Sequence, residues 1–592
     1  MRHSQRTHPG GGAALLLGIT LIALACAAPT DRPETIAPER IVEEYLDRYF
    51  ETFPTLATAA GRHEFDDRLE DLDREARQRW IDYNRQTAER GTRSLAAGVD
   101  PEDGFDLELL VREARRQTFE FAVVRRPERD PLYWTGIAGN ATVFLLVRDD
   151  RPLDDRLRDA TSRVAKLPRL LDQAREALEG TATDQIAAEH CAIAARQAEA
   201  SATFYRDGFA RAAEGADRAE ARQEAARAGA QAADALERFA AFLHGLEADA
   251  TGSPRLGDLY PEAFRIGTGI DDPIEEVLAR AEAALIAKRA ETAEFGRSVW
   301  GLFFSSGGAP ADDAEVVRRL FDRVAVDRAA TVEEFVGQYR RLVEDSIELV
   351  REQGVITLPE PLTLYIDRSP SFFVGQSVGG VYPAGPFEPE ADTLLFLPTP
   401  PDTATAEQRD AFFRDFNDHF NMMITPHEVI PGHYLQLKSA ARHPRKVRAI
   451  FGDGVYIEGW GTFSERLMLD LGWGGPLDRL AHLKKQLENI ARTIVDIRVH
   501  TREMSRDEVL RFVQDEALQD SQFAGNMWTR SITSAPQLTT YYLGYEQVWG
   551  LYDDVVAARG ESFVLREFMD GMMALGPVAV RHYRARMLPG GE

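Results

Sequence analysis

The residues best suited to metal-assisted chemistry lie in one stretch, His427-Glu428-Val429-Ile430-Pro431-Gly432-His433. The pattern H-E-x-x-H places two imidazoles one turn apart on a single helix face, where they bind zinc, and sets a glutamate beside them as general base. Here the second histidine is six residues on, not four. Six residues turn an ideal helix by about 600°, so the rings point about 240° apart. Pro431 cannot donate to the carbonyl of residue 427 and clashes with it, and Gly432 tolerates unusual dihedrals. The stretch therefore reads as H-E-x-x-H with Pro431-Gly432 bulged out of the helix, which returns His433 to the ligand face.

A catalytic zinc commonly takes two His and one Glu. Twenty-five residues after His433 stands Glu458-Gly459-Trp460-Gly461-Thr462-Phe463-Ser464-Glu465. This resembles the E-G-F-A-x-Y-x-E helix of zinc peptidases of the alanyl-aminopeptidase type, and the resemblance makes Glu458 the third ligand. Glu465, seven residues on, shares its helix face and suits an acceptor that orients a ligand histidine. Two groups are candidates for holding an oxyanion. One is His500, four residues after Asp496, a helical Asp–His spacing that can fix a tautomer. The other is Tyr541, the first of three tyrosines in Tyr541-Tyr542-Leu543-Gly544-Tyr545.

Together these residues predict one zinc ion on His427, His433 and Glu458, with Glu428 taking a proton from water and delivering it to a leaving amine. Tyr541 and His500 complete the expected catalytic set, and the expected substrate is a peptide. Two other readings share the same residues. One is a metal-dependent hydrolase of a non-peptide amide or ester. The other is a non-catalytic helical lipoprotein with a structural metal, and Glu428 argues against it, because a structural site has no use for a carboxylate beside a ligand.

These residues need elements to carry them. Residues 40–355 are rich in Ala, Arg, Glu and Leu with apolar residues at helical spacing, as in Ile41-Val42-Tyr45-Leu46-Tyr49-Phe50. A second such run, Leu157 to Leu178, contains Pro168 and is expected to split there. Residues 183–247 are Ala-rich, which suits closely packed long helices. The texture changes after Gly354: Leu362–Ile366 and Thr393–Leu397 are strand-like, with a glycine-rich turn, Gly379–Gly385, between them. Helical periodicity resumes near Ala404. The expected fold is mainly α, a large helical protein with a small β-sheet beside a zincin-like active-site helix. Residues 356–592 are expected to form the catalytic region, continuous with 40–355. The Thr393–Leu397 strand is expected to lie at an edge, where an extended peptide can pair with it.

The first 39 residues read differently. Arg2 and Arg6 precede the apolar stretch Ala13–Ala25, which ends in Ala23-Leu24-Ala25. That is a secretory signal peptide over residues 1–25. Cys26 follows as a candidate lipid-anchor position, and residues 26–39 read as a tether. The protein is thus expected to be exported, either as a lipoprotein on the periplasmic side of a bacterial membrane or as a soluble periplasmic or secreted protein. Its only expected membrane contact is the anchor at Cys26.

The chain has 592 residues, 70 Lys+Arg against 96 Asp+Glu and a net charge of −26. That balance argues against a nucleic-acid partner. With only two cysteines, a disulfide framework and a thiolate-built zinc site are both excluded.

The combined motifs resemble a bacterial family named only as a domain of unknown function, number eight-eight-five. The shared features are H-E-x-x-P-G-H, E-G-W-A, the Asp496–His500 pair, and Tyr541 three residues before Gly544. Pro54, Ala57, Thr58, Gly61, His63 and Asp66 match an N-terminal stretch of the family, and Phe568–Arg586 with Gly576-Pro577 matches its last helix. The resemblance implies a helical fold around a zinc-type site related to gluzincin peptidases, and many members look exported or lipid-anchored. This chain departs from the pattern at Gly461, where the family has Ala.

Overall fold

The computed structural model describes residues 37–589, apart from 306, 371, 374–379 and 402–403. The signal peptide, Cys26 and most of the tether lie outside the described residues. About 73% of the chain is helical, as the apolar spacing predicts. The first helix, Pro38–Thr52, starts two residues inside the expected tether. Pro38 suits its first turn, where no N–H is needed, and the helix buries all six residues of the Ile41–Phe50 pattern.

The run with Pro168 is two helices, Leu153–Val164 and Leu167–Glu179. The Ala-rich stretch forms helices Ala188–Thr203 and Ala219–Asp249, whose small faces, with Ala194, Ala198, Ala225 and Ala232 fully buried, lie close together. The last family-like helix is also two, Leu565–Ala574 and Val580–Met587, parted where Gly576 takes a positive φ before Pro577.

The sheet has three strands: β1 (Leu364–Arg368), β2 (Gly380–Tyr382) and β3 (Thr393–Leu397). β2 lies within the segment expected to be only a turn. The order is β1-β3-β2, with β1 parallel and β2 antiparallel to β3. β3 is therefore central, and every one of its residues is buried. Its continuous apolar run is the pattern of a strand covered on both faces, so it offers no edge to a peptide.

Residues Pro38–Glu592 form one compact unit. Fully buried Arg448 ties its ends together, with Nε donating to Asp106 (2.6 Å) and Nη2 to Glu102 (2.8 Å). Arg112 donates to Asp453 at 2.5 Å, and Asp453 caps the helix Gly454–Asp470 by accepting from the Tyr456 N–H at 2.8 Å. The helix that carries Glu458 is thus fastened at its first turn to the N-terminal half.

That helix crosses Thr540–Arg559 backbone to backbone. A Cβ on Gly459 would lie 2.4 Å from the carbonyl of Gly544, and one on Gly544 would lie 2.1 Å from the Val455 oxygen. Backbone cannot yield as a side chain can. Gly544→Ala is therefore expected to destabilise the protein by about 1–3 kcal/mol through overpacking, despite Ala's better helix propensity. Denaturant melting reads this directly, and an unchanged midpoint would show that the crossing is loose.

Candidate metal centre

The motif helix, Asp418–Glu428, ends one residue after the first histidine, and a new helix, His433–Arg442, begins at the second. The expected bulge inside one helix is instead a complete break over Val429–Gly432. The proline has no N–H to continue the ladder. Gly432 lies so close beneath the first helix that a Cβ on it would come within 2.0 Å of the His427 carbonyl oxygen and 2.2 Å of that of Pro426. Trp460 holds the break from outside, its indole N–H donating to the Pro431 carbonyl at 2.8 Å.

The break brings the two imidazoles together. Their ring centres are 4.6 Å apart and the planes meet at 81°. Glu458 Oε2 lies 3.7 Å from His427 Nε2 and 3.6 Å from His433 Nε2. These separations are too long for hydrogen bonds. They do match a tetrahedral ion, whose bonds of about 2.0–2.2 Å set donor atoms about 3.3–3.6 Å apart. Glu458 Oε2 is buried with no hydrogen-bond partner, an uncommon situation for a carboxylate oxygen. One ligand atom from each of the three residues lies within 4.8 Å of the others. The residues fit a divalent cation.

Electrostatics agree with geometry. Burial alone favours a neutral His427, but Glu458 and Glu465 outweigh it and push its pKa up to about 10. Burial likewise raises Glu458, yet His427 and His433 outweigh it and hold the carboxyl well below the ordinary range. The pocket calls for positive charge between these groups.

Glu465 is fully buried and accepts from His427 Nδ1 at 2.8 Å and from His482 Nδ1 at 3.0 Å. Burial opposes its charge, but the two histidines outweigh it and hold the carboxyl at about 2. The carboxylate fixes the His427 tautomer so that Nε2 faces Glu458. His427 also lies flat against Gly461, where a Cβ would meet its ring atoms at 2.8–2.9 Å. The chain's departure from E-G-W-A therefore opens room for the ring. His433 Nδ1 has no such acceptor.

Glu428 stands beside His427 and is half-buried, and its charge adds to burial in raising the phenol of Tyr339. Tyr541 reaches the site through Gln537. The amide of Gln537 donates to the Tyr541 oxygen at 3.2 Å and approaches Glu458 Oε1 at 3.5 Å. Arg530 also donates to the Tyr541 oxygen, at 3.2 Å. Arg492 lies over the tyrosine ring, 4.5 Å from its centre. With two donors supplied to its oxygen, the phenol keeps its own proton free to give.

His500 does not serve as expected. Its Nδ1 accepts from the Leu256 N–H at 3.0 Å and its Nε2 donates to the Ser531 carbonyl at 2.8 Å. Burial keeps it neutral, with a pKa lowered to about 4. Both nitrogens are spent on backbone, so neither can meet an oxyanion. Asp496 binds the Tyr260 hydroxyl at 2.6 Å, not His500, and Tyr260 stacks on the His500 ring at 5.0 Å. The i, i+4 spacing alone could not reveal these backbone partners.

Burial raises Asp496 to about 7, against the Tyr260 hydrogen bond and the Arg530 charge. A carboxyl with a folded pKa above its unfolded value of about 3.9 costs stability as pH rises through that interval. Asp496→Asn is therefore expected to gain stability relative to the parent between about pH 4 and 7 and to hold that gain above it. Thermal melts of both proteins across this range check the sign, and a flat difference would place the Asp496 pKa near normal.

His63 lies elsewhere, its Nδ1 hydrogen-bonded to Asp66 at 2.7 Å and its Nε2 in ion-pair range of Glu388 (2.8 Å) and Asp150 (3.8 Å). It pins the loop before β3 to the N-terminal helices. Sequence spacing did not point to His482, Gln537, Arg530 or Arg492, because they enter from elements other than the motif helix: His482 and Arg492 from Pro476–Thr501, Arg530 from Ser521–Ser534 and Gln537 from the turn Gln537–Thr539.

The family model described as "Bacterial protein of unknown function (DUF885)" matches residues 54–587. No curated protein matches the chain. Solved structures share its architecture, and two of them are as follows. One, described as "a putative lipoprotein of unknown function from Shewanella oneidensis", is 23% identical with a TM-score of 0.77, covering 94% of this chain and 100% of its own. The other, described as "the putative lipoprotein from Colwellia psychrerythraea", is 14% identical with a TM-score of 0.75, covering 93% and 98%. At these identities the likeness is one of fold.

Proposed function

The chain belongs to the DUF885 family of bacterial proteins, and from the site it carries we propose that it is an exported zinc-dependent metallopeptidase of the gluzincin kind. The observation that supports this most is the convergence of His427, His433 and Glu458, within 4.8 Å, with Glu428 next to a ligand. A structural metal needs the first three residues and not the fourth.

Zinc held there supplies a Lewis acid that polarises a carbonyl and makes water acidic near neutral pH. His427 would bind the ion through Nε2, because its Nδ1–H donates a hydrogen bond to Glu465. His433 and Glu458 complete the ligand set. Glu428 accepts the proton of the attacking water and returns it to the departing amine. Tyr541 donates its phenol proton to the oxygen that gains charge, while Gln537 and Arg530 fix that phenol. His500 supports the fold around this set and takes no part in the proton path.

Export rests on the signal-like residues 1–25 and on the description of both structural neighbours as lipoproteins. Cys26 is the proposed anchor. Among the described residues no helix is long and apolar enough to cross a membrane.

The test is metal analysis of the purified mature protein, coupled to hydrolysis of a mixed peptide library with and without chelator. The expected result is one zinc per chain and cleavage that stops on chelation and returns with zinc. Protein that holds one zinc and cleaves no peptide would move the non-peptide hydrolase and binding readings ahead.

A further inference from the structure

A cavity of about 660 Å³ reaches the metal centre at Glu458. That volume suits a ligand of a few residues. Its walls carry four arginines, Arg116, Arg126, Arg129 and Arg255, in a protein of net charge −26. Two of them are neutralised locally. Arg116 pairs with Glu113 and Glu120 at 2.6–2.7 Å, and Arg126 with Asp130 at 3.0 Å.

Arg129 and Arg255 are different. Arg129 donates to the Gln185 side-chain oxygen at 2.8 Å, and Arg255 to the Met504 carbonyl at 3.0 Å. Both partners are neutral, and among the described residues no carboxylate pairs with either. The Nε of each is buried with no hydrogen-bond partner. Arg255 is further fixed over the Trp528 ring, 5.6 Å from its centre. A guanidinium has five donors in a rigid fork that matches a carboxylate, and half-buried charge without a counter-ion is costly. The cavity thus holds unspent positive charge at Arg129 and Arg255, and a divalent cation at Glu458 adds to it.

We propose that this cavity selects short peptides by their free α-carboxylate, which Arg129 and Arg255 receive while the bond to be cut lies at Glu458 and Tyr541. The proposal rests on the peptidase reading and adds the substrate class: peptides cleaved close to their C-terminus.

The experiment uses the full mature protein loaded with zinc. Matched short peptides, otherwise uncharged, carry either a C-terminal carboxylate or a carboxamide. A third peptide carries a carboxamide end and an aspartate side chain. Rates are measured for the parent, Arg129→Gln, Arg255→Gln and Arg255→Lys. Binding of the same peptides to zinc-loaded Glu428→Gln protein is measured by calorimetry. The parent is expected to favour the free acid over the carboxamide by about 10–100-fold in kcat/KM, the range for a hydrogen-bonded charge. The glutamine variants are expected to bring that ratio toward one through a higher KM for the acid, with Arg255→Lys restoring part of it. Equal handling of acid and carboxamide by the parent, in rate and in binding, would overturn the proposal. So would an aspartate-bearing carboxamide that performs as well as the acid, since the site would then read any acidic group. If no peptide is cleaved, the peptidase reading fails by itself. Calorimetry then decides the carboxylate site: tighter binding of the acid supports it and equal binding ends it.

Discussion

Glu428→Gln protein is expected to hold its zinc and to lose about 10²–10⁴-fold in turnover, the usual cost of removing a general base. Glutamine is nearly isosteric, and Glu428 is not among the three converging ligand residues. Local packing and the positions of His427 and His433 should therefore survive. What disappears is the basic oxygen that takes a proton from water. Zinc content and peptide hydrolysis are measured side by side with the parent. Full activity in the variant would remove Glu428 from the mechanism and with it the main argument for chemistry at this site. Loss of zinc together with activity would recast Glu428 as a fourth ligand.

The second large effect falls on a residue outside the ligand set. Glu465→Gln is expected to weaken zinc binding by about 10–100-fold, the range for losing a group that orients a ligand histidine. Glu465 accepts from two ring nitrogens, His427 Nδ1 and His482 Nδ1. A glutamine offers one oxygen and one NH₂, so one of the rings faces a donor. If that ring is His427, its proton moves to Nε2 and blocks the metal-binding lone pair. Competition with a zinc chelator gives the affinity. Glu458→Gln, measured in parallel, should lose more, because it removes a ligand. Parent-like affinity in Glu465→Gln would show that Gly461 and the helix break suffice to aim His427.

The convergence of His427, His433 and Glu458 was legible in the sequence because metal chemistry restricts such a set to a few residue types at short spacings, and Pro431-Gly432 accounted for the odd interval. The nature of the interruption was less legible. A missing proline donor is compatible with a bulge or with a full break, and the break is held by the Trp460 indole and by the fit of Gly432 under two carbonyls. Both are contacts made across space. His500 shows the opposite failure. Its spacing from Asp496 looked purposeful, yet its partners are backbone atoms of Leu256 and Ser531, which have no signature in sequence. β3 was found as a strand and misplaced at an edge, because five apolar residues in a row describe burial and not strand order. Arg129 and Arg255 could not have been singled out among the chain's many arginines, since what distinguishes them is a place on the cavity wall with neutral partners, Gln185 and the Met504 carbonyl, in place of a paired carboxylate.

The Gly459–Gly544 crossing has a bearing on how this protein tolerates change. Glu458 sits one residue from that contact and Tyr541 three, so the spacing between ligand and phenol is gauged by main chain pressed on main chain. Most helix pairs are kept apart by side chains, and their separation drifts when those side chains are exchanged. Here nothing exchangeable lies in the gap. Leu, Ile, Val and Met can replace one another through the surrounding interior and alter the melting temperature while the reacting groups keep their registry. Stability and the geometry of the proposed site are thereby separated in this scaffold, and a library of interior variants is expected to yield proteins that differ widely in heat resistance and little in the zinc affinity or turnover proposed for the site.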